Sequence, residues 1–172
     1  MDFEKISNYW KNKVNNIAPN DLIQSTVNTT LSEFRHCVLA TGSGDEVDAT
    51  PVHYIYLDEC VYIFSEGGQK FKYLANNTNV CVSVFNHDGD FGNIHSVQLY
   101  GNVEFVDVMS PEYLRVVENS VYKLNLAYLE KRASSGEPLY LLKIIPNRFK
   151  VSDSDFKKNG YDINQVMEVT PR

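Results

Sequence analysis

Two runs of β-branched and aromatic residues, 49–57 and 60–65, are separated by only Asp58 and Glu59. A connection of two residues joins antiparallel neighbours, whereas a parallel crossover needs about a dozen residues or more. A parallel α/β sheet, with a helix after every strand, is therefore excluded over this stretch. Other strand-like runs flank the hairpin. Cys37-Val38-Leu39-Ala40-Thr41 leads into the turn residues Gly42-Ser43-Gly44-Asp45, and Val80-Cys81-Val82-Ser83-Val84-Phe85, 95–106 and 139–151 follow. Gly101, in the middle of the 95–106 run, predicts a bulge or a sharp bend, and Pro146 interrupts the last run. Pro51 cannot donate to a ladder, which places it at an edge, at a bulge or facing a ligand. Six or so antiparallel strands predict a mainly β fold, a small barrel with helices packed outside.

The helical signals lie around this core. Phe3, Ile6, Trp10, Val14 and Ile17 recur at three and four residues and draw an apolar stripe that Pro19 and Asn20 stop. A second helix, rich in threonine, is predicted from Asp21 to Phe34. Gly67 and Gly68 lead into a short helix, and Ser110-Pro111 supplies a cap and a first-turn proline for a helical stretch reaching about Arg132. With 43% hydrophobic residues over 172 positions, the chain can bury one core without a metal or disulfide staple. No linker or repeat divides it. A single domain, 1–172, is expected: N-terminal helices 1–35, barrel core 36–107, helical segment 110–133, last strand 139–151 and polar tail 152–172.

Sixteen Lys and Arg stand against 22 Asp and Glu, a net charge of -6, and the basic residues are scattered. Nucleic acid is not an expected partner, because phosphate contacts need a concentrated cationic face. No apolar run reaches transmembrane length, so no membrane partner and a cytoplasmic location are expected. Cys37, Cys60 and Cys81 lie 23 and 21 residues apart without a C-x-x-C, which favours buried reduced thiols over a metal or redox site. No His pair has helix spacing for a metal, and no Gly-x-Ser-x-Gly elbow is present. His36 and Cys37 are neighbours on a strand, so their side chains point to opposite faces.

The segment Phe64-Ser65-Glu66-Gly67-Gly68-Gln69-Lys70 carries the clearest chemistry. A strand ends in a hydroxyl, two glycines let the backbone approach a ligand, and a lysine falls in the first turn of a helix whose free amides favour an anion. The same arrangement also occurs as an ordinary surface turn, and it is neither a P-loop nor a dinucleotide fingerprint. His53 lies in a strand, where a histidine satisfied by a neighbour and one placed beside a ligand are both open readings.

In order along the chain, Leu39-Ala40-Thr41, Thr50-Pro51-Val52-His53-Tyr54, Tyr62-Ile63-Phe64-Ser65, Gly68-Gln69-Lys70-x-x-x-Leu74, Asn79-Val80-Cys81-Val82-Ser83 and Val97-x-x-x-Gly101-x-Val103 resemble the pyridoxamine 5'-phosphate oxidase-like family of FMN-binding split β-barrels. The resemblance implies FMN as cofactor and a homodimer, since the family builds its sites between two barrels. It implies that Phe64-Ser65 and Lys70, with Gln69 where an arginine often stands, meet the FMN phosphate. It further implies that the backbone of Thr50, Pro51, Val52, His53 and Tyr54 lines the isoalloxazine, and that Ser96 stands where members carry a flavin-contacting Gln. The W-x-G…R-L-H segment of true pyridoxamine phosphate oxidases is absent, so that activity is not expected. An FMN-dependent oxidoreductase of unspecified substrate is the expectation, with a flavin or haem carrier or sensor as the alternative; catalytic residues are unassigned.

Overall fold

The computed structural model describes residues 2–12, 16–88, 90 and 92–169. Helices α1 (Phe3–Asn12) and α2 (Asn20–Glu33) precede β1 (His36–Ser43), β2 (Glu46–His53), β3 (Ile55–Leu57) and β4 (Cys60–Ser65). Then come α3 (Gln69–Leu74), β5 (Asn79–Phe85), β6 (His95–Val106), α4 (Pro111–Glu118), α5 (Leu126–Ser134), β7 (Tyr140–Asp153), α6 (Ser154–Lys158) and β8 (Asn164–Glu168). Val14 and the side chains of Ile6 and Trp10, part of the predicted α1 stripe, lie outside the described residues.

The strands form one antiparallel sheet in the order β2-β1-β5-β6-β7-β4-β3, with β8 on the far half of β7. Its two edges, β2 and β3, are consecutive in the chain and separated only by Tyr54. One residue spans at most about 7 Å between its neighbours, so the sheet must curl until its edges meet. The result is a mainly antiparallel split β-barrel with flanking helices. Tyr54 fixes the corner: its amide donates to Arg35 O at 3.1 Å, and its buried hydroxyl donates to Leu31 O of α2 at 2.9 Å.

Alternation along the strands sends Leu39, Val61, Ile63, Val82, Val84, Val97 and Leu99 into one core, which α2 covers with Ile23, Val27 and Leu31. The opposite face of β4 offers Tyr62 to a second cluster with Tyr113 and Val116 of α4 and Leu129 of α5. The β6–β7 ladder shifts register between Tyr100 and Gly101, the predicted bulge, and sets Gly101 against Pro146.

Three expectations need correction. Residues 49–57 are not one strand of a hairpin: β2 pairs with β1, and only β3 pairs with β4 across the Asp58-Glu59 turn, whose positive φ values of 49° and 60° suit such a hairpin. The helical stretch to Arg132 is two helices, because Asn125 caps a second one by accepting from Tyr128 N at 3.1 Å. The 139–151 run is not the last strand. It extends to Asp153, with the ladder irregularity that skips Asn147 falling beside Pro146 as expected, and β8 follows within the polar tail.

Candidate functional site

Strand β4 delivers Ser65 inward, alongside Val61 and Ile63, while Phe64 points the other way and meets the Tyr113 ring at 5.5 Å. The Ser65 hydroxyl donates to Gly67 O at 3.2 Å and accepts from Gly67 N at 3.3 Å. Gly67 (φ 124°) and Gly68 (φ 98°) occupy backbone that L residues avoid, and a Cβ on Gly68 would come within 3.6 Å of the Lys70 ammonium. That ammonium donates to Gly67 O at 2.7 Å, and Lys70 is buried. Among the described residues this is its one hydrogen bond, so two of its three N–H donors are unused. Ser65, the glycine backbone and Lys70 thus form a small cradle that fits an anionic oxygen group, with the Gly68 side left open by the missing Cβ.

The surroundings hold the cradle in place. Gln69 Nε2 donates to the Tyr73 hydroxyl at 3.2 Å, and the Phe71 ring sits 5.5 Å from Phe105 and 5.3 Å from Tyr140. Glu66, within the loop, is bound by Arg132 of α5. The sequence did not single out Arg132, because nothing local ties residues 66 positions apart. Lys72, by contrast, is exposed and pairs with Glu46 at 3.4 Å.

The remaining candidate residues are spread over the barrel. In the β1–β2 ladder Thr50 faces Leu39, Pro51 faces Val38, Val52 faces Cys37 and His53 faces His36. Pro51 is on an edge strand, exposed like His53, while Thr50 and Val52 are half-buried and Thr50 Oγ1 donates to Asp48 at 2.9 Å. The His53 ring lies 4.1 Å from that of His36, tilted by 46°, and its Nδ1 lies 2.7 Å from the Tyr122 hydroxyl. Ser96 is the second residue of β6, opposite Phe85 and Ser152. It is nine residues, roughly 30 Å of strand, from Phe105 at the α3 end. Among the described residues no hydrogen bond or ring contact joins Ser96 or His53 to Lys70.

Burial pushes the Cys37 thiol up to about 12, and all three cysteines are free. Among the described residues no group of three or more His, Cys, Asp or Glu side chains is placed to hold a metal, and no helix is long and apolar enough to cross a membrane.

Barrel and loop together define an antiparallel split-barrel protein with Ser65, two positive-φ glycines and Lys70 gathered at the end of β4. The chain belongs to the pyridoxamine 5'-phosphate oxidase family, whose model matches residues 24–133. Solved structures agree on the fold. A FAD-binding protein from Mesorhizobium loti is similar at 23% identity and a TM-score of 0.57, over 73% of this chain and 89% of that one. A conserved hypothetical protein from Mycobacterium tuberculosis superposes at 0.61 with 19% identity, over 92% and 96% of the two chains. The haem storage protein HutZ from Vibrio cholerae gives 0.56 at 12% identity, over 72% and 89%. No curated protein matches the chain.

Proposed function

We propose that the protein binds FMN as a homodimer and acts as a flavin-dependent oxidoreductase other than pyridoxamine phosphate oxidase. The carrying observation is Lys70, a residue only 9% exposed, whose ammonium has unused donors beside Ser65 and two glycines of positive φ. Lys70 and the Ser65 hydroxyl would hold the phosphate, Gln69 would flank it, and the backbone from Thr50 to Tyr54 would line the ring. Bound flavin would supply hydride or electron transfer, and the protein would orient it and shield it from water. Ser96 lies nine residues along β6 from Phe105, which packs against Phe71 of α3, and in this reading it serves the flavin held by the partner copy. An open face supports pairing of copies: Val47 is 86% exposed, with Ala49 and Pro51 exposed beside it.

The rival reading, a carrier or sensor of flavin or haem, draws on the missing W-x-G…R-L-H segment and on the fold shared with a haem storage protein. A visible spectrum of the purified protein separates them at the first step. The paired bands of oxidised flavin support the proposal, a single intense Soret band supports haem, and a protein that stays colourless after FMN is added refutes flavin binding. Anaerobic mixing with NADH or NADPH then tests whether the flavin is reduced, which bleaches it once, and repeated oxidation of the nucleotide when an electron acceptor is added marks an enzyme.

A further inference from the structure

The loop that carries the cradle also carries a carboxylate. Glu66 stands between Ser65 and Gly67 and is the one acidic residue from Ser65 to Lys70, so an anion drawn to Lys70 meets a like charge beside its own ligands. Left alone, that charge would oppose a phosphate. It is not left alone, because the Arg132 guanidinium of α5 takes it.

Arg132 is held in place independently of Glu66. Leu129, three residues earlier and so on the same side of α5, is buried in the second cluster and fixes which face of the helix turns to the barrel. Arg132 Nε donates to Glu137 O at 2.8 Å, Nη1 donates to the Tyr128 hydroxyl at 3.2 Å, and the guanidinium lies 5.9 Å from the Tyr128 ring. It also falls in the last turn of α5, where free carbonyls favour a cation. Its side chain is 20% exposed, against 68% for Glu66. The cation is thus fixed by its own helix, and the carboxylate comes to it from the solvent side. An ion pair with so exposed a member adds little to stability, so its consequence lies in the charge that the loop presents to an anion.

We propose that Arg132 is the counter-charge that admits a phosphate to this loop: it cancels Glu66 and touches no phosphate itself. The proposal rests on the reading of Ser65 and Lys70 as phosphate ligands and adds the electrostatic condition under which they work. Charge cancellation and a simple brace predict opposite results at Glu66. Cutting a brace weakens binding from either end, whereas removing the carboxylate leaves the Arg132 charge in excess and favours an anion.

FMN is titrated by flavin fluorescence into the full chain and its variants at low and at high salt. Arg132→Gln is expected to raise the FMN dissociation constant about three- to tenfold at low salt, and less at high salt, where the bared carboxylate is screened. Arg132→Lys keeps the charge and recovers part of the loss. Glu66→Gln binds at least as tightly as the unaltered chain, and adding it to Arg132→Gln restores the affinity, the non-additivity of a coupled pair. Thermal melts identify any variant that fails to fold; if Arg132→Gln is lost, Glu66→Gln, on an exposed side chain, decides alone. Weaker binding in Glu66→Gln overturns the proposal. So does an unchanged constant in Arg132→Gln, or a double variant no better than Arg132→Gln, the result expected if the guanidinium met the phosphate directly. If the unaltered chain takes up no FMN, inorganic phosphate titrated by calorimetry replaces it. The same order of variants then leaves this proposal standing while the flavin reading falls, and no binding overturns both. FMN binding that ignores the variants overturns this proposal alone.

Discussion

At the scale of single residues, Lys70 and Lys72 form a natural experiment. They sit two positions apart on α3, yet one is buried over a glycine carbonyl and the other pairs with Glu46 in solvent. A charge-assisted contact to phosphate is worth about 1.5–3 kcal/mol, so Lys70→Ala is expected to raise the FMN dissociation constant roughly 10- to 150-fold. Lys72→Ala should change it little, because exposed pairs contribute little. Flavin fluorescence titrations of both variants at fixed salt check this, and equal losses would mean that the phosphate does not sit on Lys70. A second residue-scale prediction concerns Glu112, which accepts from Lys143 at 2.9 Å and from the buried Tyr62 hydroxyl at 2.8 Å. The Lys143 hydrogen bond, then that of Tyr62, holds its carboxyl below the usual value. A carboxyl lowered by folding stabilises the protein above its unfolded value, and that contribution fades as pH falls through the folded one. Glu112→Gln should therefore flatten the acid side of the stability curve, while Tyr62→Phe should cost about 1 kcal/mol at neutral pH. Urea melts across the acid range test both, and an unchanged acid limb in Glu112→Gln would remove this carboxyl from the account.

At the scale of elements, the long strands were legible and the short ones were not. Gly101 announced the β6 bulge, and the structure gives the reason: a Cβ there would lie 2.1 Å from Ile145 O and 2.9 Å from Ile145 C, both backbone atoms that cannot move aside. Gly101→Ala is expected to destabilise by about 3 kcal/mol. Gly136→Ala, at φ 80° with no atom within 4 Å of its Cβ, carries only the conformational cost of about 1 kcal/mol. The shift in urea midpoint at constant slope measures each, and equal shifts would mean that the bulge yields more easily than its backbone contacts imply. Strand β8 escaped the sequence because its inward residues include Gln165, which reads as polar. Its amide accepts from Ala18 N at 3.0 Å and donates to Asn16 O at 3.1 Å, both far along the chain, and donates to the nearby Asp162 O at 2.6 Å. Long-range satisfaction of this kind leaves no local pattern. The loop from Ser65 to Lys70 was legible because a glycine pair before a lysine is a local signal; the Arg132–Glu66 link that braces it was not.

For the whole molecule, curvature came from one residue whose role no pattern displays. Residues 49–57 look like a continuous strand, yet Tyr54 turns its side chain into the core and divides that strand between opposite edges of the sheet. The curled sheet leaves β2 laddered on one side only, with Val47, Ala49 and Pro51 toward solvent. Ser96 is stranded at the end of the barrel away from α3. If FMN is held by the loop of one copy and completed by Ser96 of the other, binding and dimerisation are linked equilibria, and each must strengthen the other. Light scattering at micromolar concentration with FMN bound should then report twice the chain mass of 19.6 kDa. On dilution, the apparent FMN affinity should fall over the same concentration range in which the dimer separates, and added FMN should move that range downward. Val47→Lys places a charge on the exposed edge strand, outside the 50–54 segment and without touching Ser65 or Lys70. It should weaken dimer and FMN affinity together, whereas Lys70→Ala should weaken FMN and disturb the dimer only in the presence of the cofactor. A monomer that holds FMN with an affinity independent of protein concentration would break the linkage, and would assign Ser96 no part in the site.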